Sequence, residues 1–304
     1  MVPKSGNRFS DKTMLKQNTE ARELRHIWLC ADDYGISHGV NAAIRDLIAR
    51  GRLNATSVMV LAPSFDRGDA RSLQMLNAGA KRAAIGLHLT LTAPFEPVTE
   101  SFTPKRRGRF LPMQAMQIAA LARRLNPGAL KLEIAAQIHA FAGAFGHLPD
   151  FVDGHQHVQL FPQIADALLD VMGEIMPKTW VRQCGRAHGA RRLREHKAVT
   201  LDMLSAGFVR KAHKAGIPTN PAFAGSYNFS RRAQFAKIFP RFLQGLPDGG
   251  LIMCHPGFVD AELKRLDPLT HLREREYEYF MSDEFPALLK AHHLALGRPP
   301  GKAA

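Results

Sequence analysis

The chain has 304 residues, 45% of them hydrophobic, which is enough to form one large core or two small ones. An excess of 41 lysines and arginines over 27 aspartates and glutamates gives a net charge of +14, which favours either an anionic partner or a solvated basic surface. The chain has only three cysteines, which excludes a disulfide scaffold and favours the reducing cytoplasm. It has no apolar run of the roughly 18 residues needed to span a bilayer, which excludes a transmembrane protein.

Residues 1–24 are polar and basic, lack the apolar segment of a signal peptide, and are expected to form a disordered tail. Short apolar runs then alternate with longer amphipathic stretches. The run 26–33 predicts a buried strand, and Ser37 is placed to cap the helix after it. A later helix is predicted to begin near Pro162. Further strands are predicted at 56–63, 83–92, 150–158, 178–184 and 251–260.

Continuous apolar strands that alternate with helices are typical of parallel sheets covered on both faces. The pattern predicts one α/β domain over residues 25–290, either a barrel or a doubly wound sheet, and we favour a single irregular (β/α) barrel with parallel strands. The segment 95–149 is too long for an ordinary connection, so we expect a helical excursion over one end of the barrel, where a lid would lie. Residues 291–304 are expected to form a C-terminal tail.

Several predicted strands end in polar residues of metal-binding or acid–base type. These residues are Asp32, Asp33, His88, Asp153, His155, His157 and His255. Taken singly, each has an ordinary structural explanation, such as a helix cap or a hydrogen-bonded core histidine. On an extended strand, His155 and His157 would point to the same face. Since active sites of parallel α/β folds form at the carboxyl ends of strands, the combination favours a metal site.

One carboxylate and two imidazoles suit a divalent ion such as Zn²⁺, Mg²⁺, Mn²⁺ or Co²⁺. Three protein ligands leave positions open for water and substrate, which is typical of a catalytic site. A second carboxylate can accept a proton from metal-bound water, and a histidine opposite can protonate the leaving group. Asp32 and His255 fit these two roles.

Four motifs, LCADDYGISHGVNAAI, IGLHLTLT, VDGHQHVQLFP and CHPGFVD, resemble in order those of the YdjC-like carbohydrate deacetylase family. That family includes chitooligosaccharide deacetylases and hopanoid-biosynthesis-associated deacetylases. The resemblance covers residues 25 to 285 and implies an incomplete (β/α) barrel related to the polysaccharide deacetylases. It also implies hydrolysis of an N-acetyl group from an amino sugar, with release of acetate.

The resemblance implies a role for each site residue by its position. One divalent ion, Mg²⁺ or Zn²⁺, would be held by Asp33, His88 and His155. The catalytic residues would be Asp32 as base, His255 as acid, and Arg182 near the base. The residues assigned to substrate binding are His157, Asp153 and Tyr34.

Two other functions stay open. One is a different metal-dependent hydrolase on the same barrel, a phosphoesterase or a cyclic amidase, although a two-metal phosphoesterase would need more bridging carboxylates. The other is a basic nucleic-acid-binding protein, but two Trp, four Tyr and no binding motif argue against nucleic acid.

The expected partners are an N-acetylated amino sugar and, through the basic segments 104–109 and 190–216, an anionic membrane surface. The enzyme would then be cytoplasmic and peripheral at the inner membrane face. A barrel helix with a solvated basic side explains 190–216 at least as well. A homodimer is compatible with the sequence.

Overall fold

The computed structural model of the protein describes residues 23–187 and 196–297. Within these residues, parallel strands form one curled sheet, and a separate antiparallel hairpin is made by Lys105–Arg106 and Arg109–Phe110. The strands in chain order are β1 (Arg25–Tyr34), β2 (Ala55–Val58), β3 (Ala84–Leu89), β4 (Lys105–Arg106), β5 (Arg109–Phe110), β6 (Phe151–Gly154), β7 (Trp180–Val181), β8 (Phe223–Ala224), β9 (Leu251–Cys254) and β10 (Leu294–Leu296).

The order of strands across the sheet is β7-β6-β3-β2-β1-β9-β8, and β10 pairs with the start of β1. Two single bridges, Val181 to Thr219 and Arg186 to Phe223, join the segments at the two outer edges. The sheet therefore curls until its edges meet. This confirms the predicted irregular barrel of parallel strands rather than an open, doubly wound sheet.

Helices connect the strands and cover the outside of the sheet. Ser37 caps α1, as predicted, because its side chain accepts a hydrogen bond from the Val40 amide, and Pro162 is the first residue of α5. The helices are α1 (His38–Ala49), α2 (Arg67–Met75), α3 (Met113–Leu121), α4 (Pro127–Phe145), α5 (Pro162–Ile175), α6 (His196–Lys214), α7 (Phe235–Phe242), α8 (Ala261–Leu266), α9 (Arg273–Met281) and α10 (Glu284–Ala291).

The strands predicted at 56–63, 150–158, 178–184 and 251–260 are shorter than expected, because each chain turns away once it reaches the carboxyl edge of the sheet. The difference between the predicted and the observed strand is clearest after β6, where His155–Leu160 forms a 3-10 helix. Gly154 permits this turn, since a Cβ there would lie 2.6 Å from Oε1 of Gln159. The expectation that His155 and His157 share one face of an extended strand is therefore wrong.

The excursion contains the β4–β5 hairpin, α3 and α4. The amide of Phe110 donates to the carbonyl of Phe95, which anchors the hairpin beside the loop that follows β3. The pairing of β10 with β1 carries the sheet past residue 290, the boundary predicted from the sequence. The predicted tails are residues 1–24 and 291–304. Of these, residues 1–22 and 298–304 lie outside the described residues.

The cysteines Cys30, Cys184 and Cys254 are free and buried, where a thiol packs as a small hydrophobic side chain. No helix of the described ranges has the length and apolar character needed to cross a bilayer.

Candidate active site

The predicted metal ligands Asp33, His88 and His155 come together at the carboxyl ends of β1, β3 and β6. One potential ligand atom from each lies within 4.8 Å of the others, and all three residues are buried. Asp33 Oδ1 lies 3.3 Å from Nε2 of His88 and 3.1 Å from Nδ1 of His155. The ring of Phe95 packs edge-on against His155, with 5.8 Å between ring centroids. The cluster is thus preformed, with its donor atoms facing one another.

Asp153 lies behind His88 and contacts the imidazole nitrogen that faces away from the cluster. Its Oδ1 is 2.6 Å from His88 Nδ1, and Ser57 Oγ is 3.0 Å from the same nitrogen. A carboxylate in this position fixes the tautomer and the orientation of a metal-binding imidazole. Asp153 is fully buried and supports His88, which differs from the substrate-binding role predicted for it.

The pKa of His88 is raised by the carboxylates that surround its imidazole ring. Burial alone would lower the pKa, but the charge and hydrogen bond of Asp153, together with Asp33 and Asp32, raise it to about 10. A bound cation would balance the negative charge of these carboxylates, so that the imidazole would not need its extra proton to do so.

Asp32 and Arg182, predicted to lie near each other, form a buried two-point ion pair. The guanidinium nitrogens Nη1 and Nη2 donate to Oδ1 and Oδ2 of Asp32, both at 2.7 Å. Nη1 of Arg182 is also 3.0 Å from Oδ2 of Asp153. Burial would raise the pKa of Asp32, but Arg182 and then His88 lower it to about 2. The Asp32 carboxylate is therefore ionised and fixed in orientation.

His255 follows β9, whose last residue Cys254 pairs in register with Ala31. This places His255 beside Asp32 at the edge of the sheet. The His255 amide donates to Oε2 of Glu276 at 2.6 Å, and the hydroxyl of Tyr227 donates to Oε1 of the same carboxylate at 2.6 Å. Nδ1 of His255 is buried and has no hydrogen-bond partner among the described residues.

Sequence reasoning missed Glu276 and a second residue of α9, Arg273. Nη2 of Arg273 donates to Oδ2 of Asp33 at 2.7 Å, and the whole residue is buried. A signal was present, because Arg273 and Glu276 share a helical face with the buried Phe280 at positions i, i+3 and i+7. Charged residues on an apolar helical face indicate a buried polar network.

His157 lies near the site but makes other contacts than His155. Its Nδ1 is 3.5 Å from Sγ of Cys184, and its ring meets Phe223 edge-on with 5.7 Å between centroids. Burial, and then the charge of Arg182, lower the pKa of His157 to about 3. The imidazole is therefore neutral and is able to donate or accept a hydrogen bond.

Tyr34 is directed away from the cluster. Its hydroxyl donates to the carbonyl of Asp69 and accepts from Arg45, each at 2.9 Å, and the residue is fully buried. These contacts differ from the substrate-binding role predicted for Tyr34. The residue instead helps to pack α1 and α2 against β1.

The charges of this network fit a divalent cation. Two guanidinium groups, Arg182 and Arg273, are paired with a larger number of carboxylates, which are Asp32, Asp33, Asp153 and Asp267. With neutral imidazoles, four negative and two positive groups leave two negative charges. Buried charges are costly unless they are paired, and an ion such as Zn²⁺ or Mg²⁺ at the cluster would balance them.

The structure contains a cavity of about 340 Å³, and its lining residues are Leu61, Pro63, Pro94, Phe95, Glu96, Arg109, Arg265 and Leu266. Phe95 forms part of the wall between the cavity and His155. The cavity lies at the same edge of the sheet, since its walls come from the segments that follow β2, β3 and β9.

The fold and site define an α/β-barrel enzyme with a buried Asp-His-His cluster at the carboxyl ends of its strands. The family model described as YdjC-like protein matches residues 26–291, and the chain belongs to that family.

Relatives of known name agree with this family. A chitooligosaccharide deacetylase of Escherichia fergusonii is 28% identical over 240 residues, which cover 77% of this chain and 82% of the relative. A carbohydrate deacetylase of Vibrio vulnificus is 24% identical over 271 residues, covering 87% of this chain and 91% of the relative. The assignment to a family of deacetylase enzymes is thereby confirmed.

A solved structure shows the same fold. It is a proposed cellobiose-phosphate cleavage protein of Enterococcus faecalis V583, with a TM-score of 0.70 and 19% identity, and the match covers 90% of this chain and 97% of that one.

Proposed function

We propose that the protein is a metal-dependent hydrolase that removes the acetyl group from an N-acetylated amino sugar and releases acetate. The observation that carries the proposal is the Asp33, His88 and His155 cluster beside the buried Asp32–Arg182 pair. The deacetylase names of the relatives supply the substrate class.

When bound, a divalent ion would polarise the acetamide carbonyl and acidify a bound water. Asp33, His88 and His155 would hold it, and Asp153 fixes the His88 ring. Asp32 accepts the proton of the attacking water, and Arg182 keeps both carboxylate oxygens in place for this step.

Completion of the reaction requires a proton on the leaving nitrogen. The oxygen of water bonds to the acetyl carbon, the carbon–nitrogen bond breaks, and the amine leaves with a proton donated by His255. The Glu276 carboxylate supports this role by fixing the His255 backbone. The products are acetate and a free amino sugar.

The cavity lined by Phe95, whose ring also contacts His155, suits the sugar portion of the substrate. Its volume of about 340 Å³ and its mixture of prolines, leucines and charged side chains match a small-molecule site with apolar walls and a few polar groups.

We further propose a lipid-linked amino sugar, such as a hopanoid-linked glucosamine, as the natural substrate, met at the cytoplasmic face of a membrane. The support is the β4–β5 hairpin, which exposes Lys105, Arg106, Arg107 and Arg109 next to the loop that carries Phe95. Basic residues near an anionic bilayer each contribute about 1 kcal/mol of attraction.

The second basic segment, 190–216, supports this proposal less. In α6, Leu201, Leu204 and Phe208 pack against the core, as in a barrel helix with a solvated outer side. The basic residues Arg191, Arg192 and Arg194 lie outside the described residues.

Mass spectrometry tests the proposed activity. The purified protein, loaded with Zn²⁺ or Mg²⁺, is incubated with N-acetylglucosaminyl compounds, both free and lipid-linked, and with an O-acetylated sugar for comparison. We expect one acetyl group to be lost from at least one N-acetylated compound, and no loss with the His155→Ala variant. Intact acetamides throughout the panel, with metal bound, would contradict the proposal.

A further inference from the structure

Helix α9 places two charged residues, Arg273 and Glu276, beneath the site. Both are fully buried. Their charges face the ends of β1 and β9, so this helix contacts the strands that bear Asp33 and His255.

Two nitrogens of Arg273, Nη2 and Nε, donate to three acceptors, while Nη1 has no hydrogen-bond partner among the described residues. Nη2 donates to Oδ2 of Asp33 at 2.7 Å and to Oδ2 of Asp267 at 2.6 Å, and Nε donates to the carbonyl of Leu269 at 2.8 Å. The hydrogen bonds to Asp267 and to Leu269 thus hold the guanidinium group against the end of α8 and the loop that follows it.

The two oxygens of Asp33 consequently have different surroundings. Oδ2 is taken by Arg273, whereas Oδ1 faces the imidazoles of His88 and His155 at 3.3 and 3.1 Å. A free carboxylate at this position could rotate and chelate a metal through both oxygens.

We propose that Arg273 is a positioning residue that reserves Oδ1 of Asp33 for the metal and prevents Oδ2 from binding it. Asp33 then acts as a ligand through one oxygen, and one more coordination position stays open for water or for the acetamide oxygen. This inference rests on the proposed metal-dependent function.

Arginine suits this task better than lysine. Its Nη2 contacts both Asp33 and Asp267 while Nε donates to the Leu269 carbonyl. Lysine would keep the charge, but it has no second nitrogen to hold the group to that carbonyl. Removal of the charge leaves Asp33 and Asp267 without their shared partner and makes the site more attractive to a cation. Metal affinity should therefore be retained or rise while turnover falls, which a merely structural role would not produce.

The test uses the Co²⁺-substituted protein, whose visible absorption changes with coordination number, and compares Arg273→Gln, Arg273→Lys and Arg275→Gln. Arg275 is an exposed neighbour on α9 whose hydrogen bonds within the described residues go to the carbonyls of Arg231 and Ala233, so its variant is a matched control. For Arg273→Gln we expect Co²⁺ to bind as tightly as in the parent or more tightly. We also expect an altered spectrum and a fall in kcat of at least about tenfold.

Arg273→Lys should show the same spectral change in a weaker form, and it keeps the test valid if the glutamine variant does not fold. The Arg275→Gln spectrum should match the parent. Parent-like spectra in both folded Arg273 variants, or a simple loss of Co²⁺ affinity, would overturn the inference. A parent protein that binds no Co²⁺ would instead refute the proposed metal-dependent function.

Discussion

At the scale of single residues, Asp32 is ionised and held by Arg182, and its pKa of about 2 keeps it in the proton-accepting form throughout the neutral range. Asp32→Asn keeps the shape of the side chain but removes proton acceptance. We expect metal content to be unchanged and turnover to fall by about 10²- to 10⁴-fold, the usual contribution of general acid–base catalysis. Metal analysis and steady-state kinetics check this, and loss of the metal would show that Asp32 is itself a ligand.

The ligand assignment is tested at His88 and His155. Replacement of either residue by Ala leaves two protein ligands, so we expect the purified variants to lose the divalent ion. Elemental analysis measures the metal content of each. His157→Ala is the control, because His157 lies two residues from His155 but contacts Cys184 and Phe223. Full occupancy in both His88 and His155 variants would be incompatible with the assignment.

The proposed acid, His255, should matter most where the leaving group is poor. An amide nitrogen must be protonated as it leaves, whereas an activated aryl ester releases a stable phenolate. We therefore expect His255→Ala to reduce turnover of the amide by at least about tenfold more than that of the ester. Parallel assays with both substrates measure this ratio. Equal losses would indicate that His255 only positions the substrate.

At the scale of elements, the turn from β6 into the 3-10 helix contains consecutive left-handed residues, Gln156 at φ 55° and His157 at φ 60°. The left-handed conformation costs a non-glycine residue about 1–2 kcal/mol, which the greater chain entropy of glycine partly offsets. Because Gln156 is exposed, Gln156→Gly should raise the free energy of unfolding by up to about 1 kcal/mol.

Urea denaturation measures this stability. Gln156→Ala is the matched control, because it removes the same side chain but retains Cβ and therefore the left-handed cost. If the alanine variant is as stable as the glycine variant, relief of backbone strain at this turn is not the cause of the stabilisation.

The same turn shows what the sequence does and does not determine at the element scale. Apolar runs predicted where the main strands begin, and the polar residues at their ends identified Asp33, His88 and His155. The runs did not show where each strand stops, because the turn after β6 depends on the packing of Gly154 against Gln159. Arg273 and Glu276 were missed because the residues they contact lie elsewhere in the sequence. Arg273, for example, contacts Asp33, which is 240 positions away.

At the scale of the whole molecule, the net charge of +14 and the exposed hairpin predict binding to anionic membranes. In co-sedimentation, the protein should pellet with vesicles that contain anionic lipid, remain in solution with zwitterionic vesicles, and dissociate as added salt screens the charge. Absence from anionic vesicles at low salt would favour a freely diffusing sugar as substrate.

A pair of triple variants tests which surface is responsible. Substitution of Lys105, Arg106 and Arg107 by Gln should weaken vesicle binding more than the same substitution of Arg231, Arg232 and Lys237. Both sets are exposed and remove the same charge. Equal effects would show that binding depends on net charge rather than on the hairpin.

The position of β1 in the middle of the sheet has a consequence for synthesis on the ribosome. β1 pairs with β2, which follows soon after it, and with β9, as in the pairing of Trp28 with Leu251. Contacts between such distant segments form slowly, because a long loop must close before any contact rewards it. A nascent chain that stops before β9 and α9 carries Asp33, His88 and His155 but lacks Arg273 and His255. The complete catalytic arrangement is therefore expected to arise only after most of the polypeptide has been made.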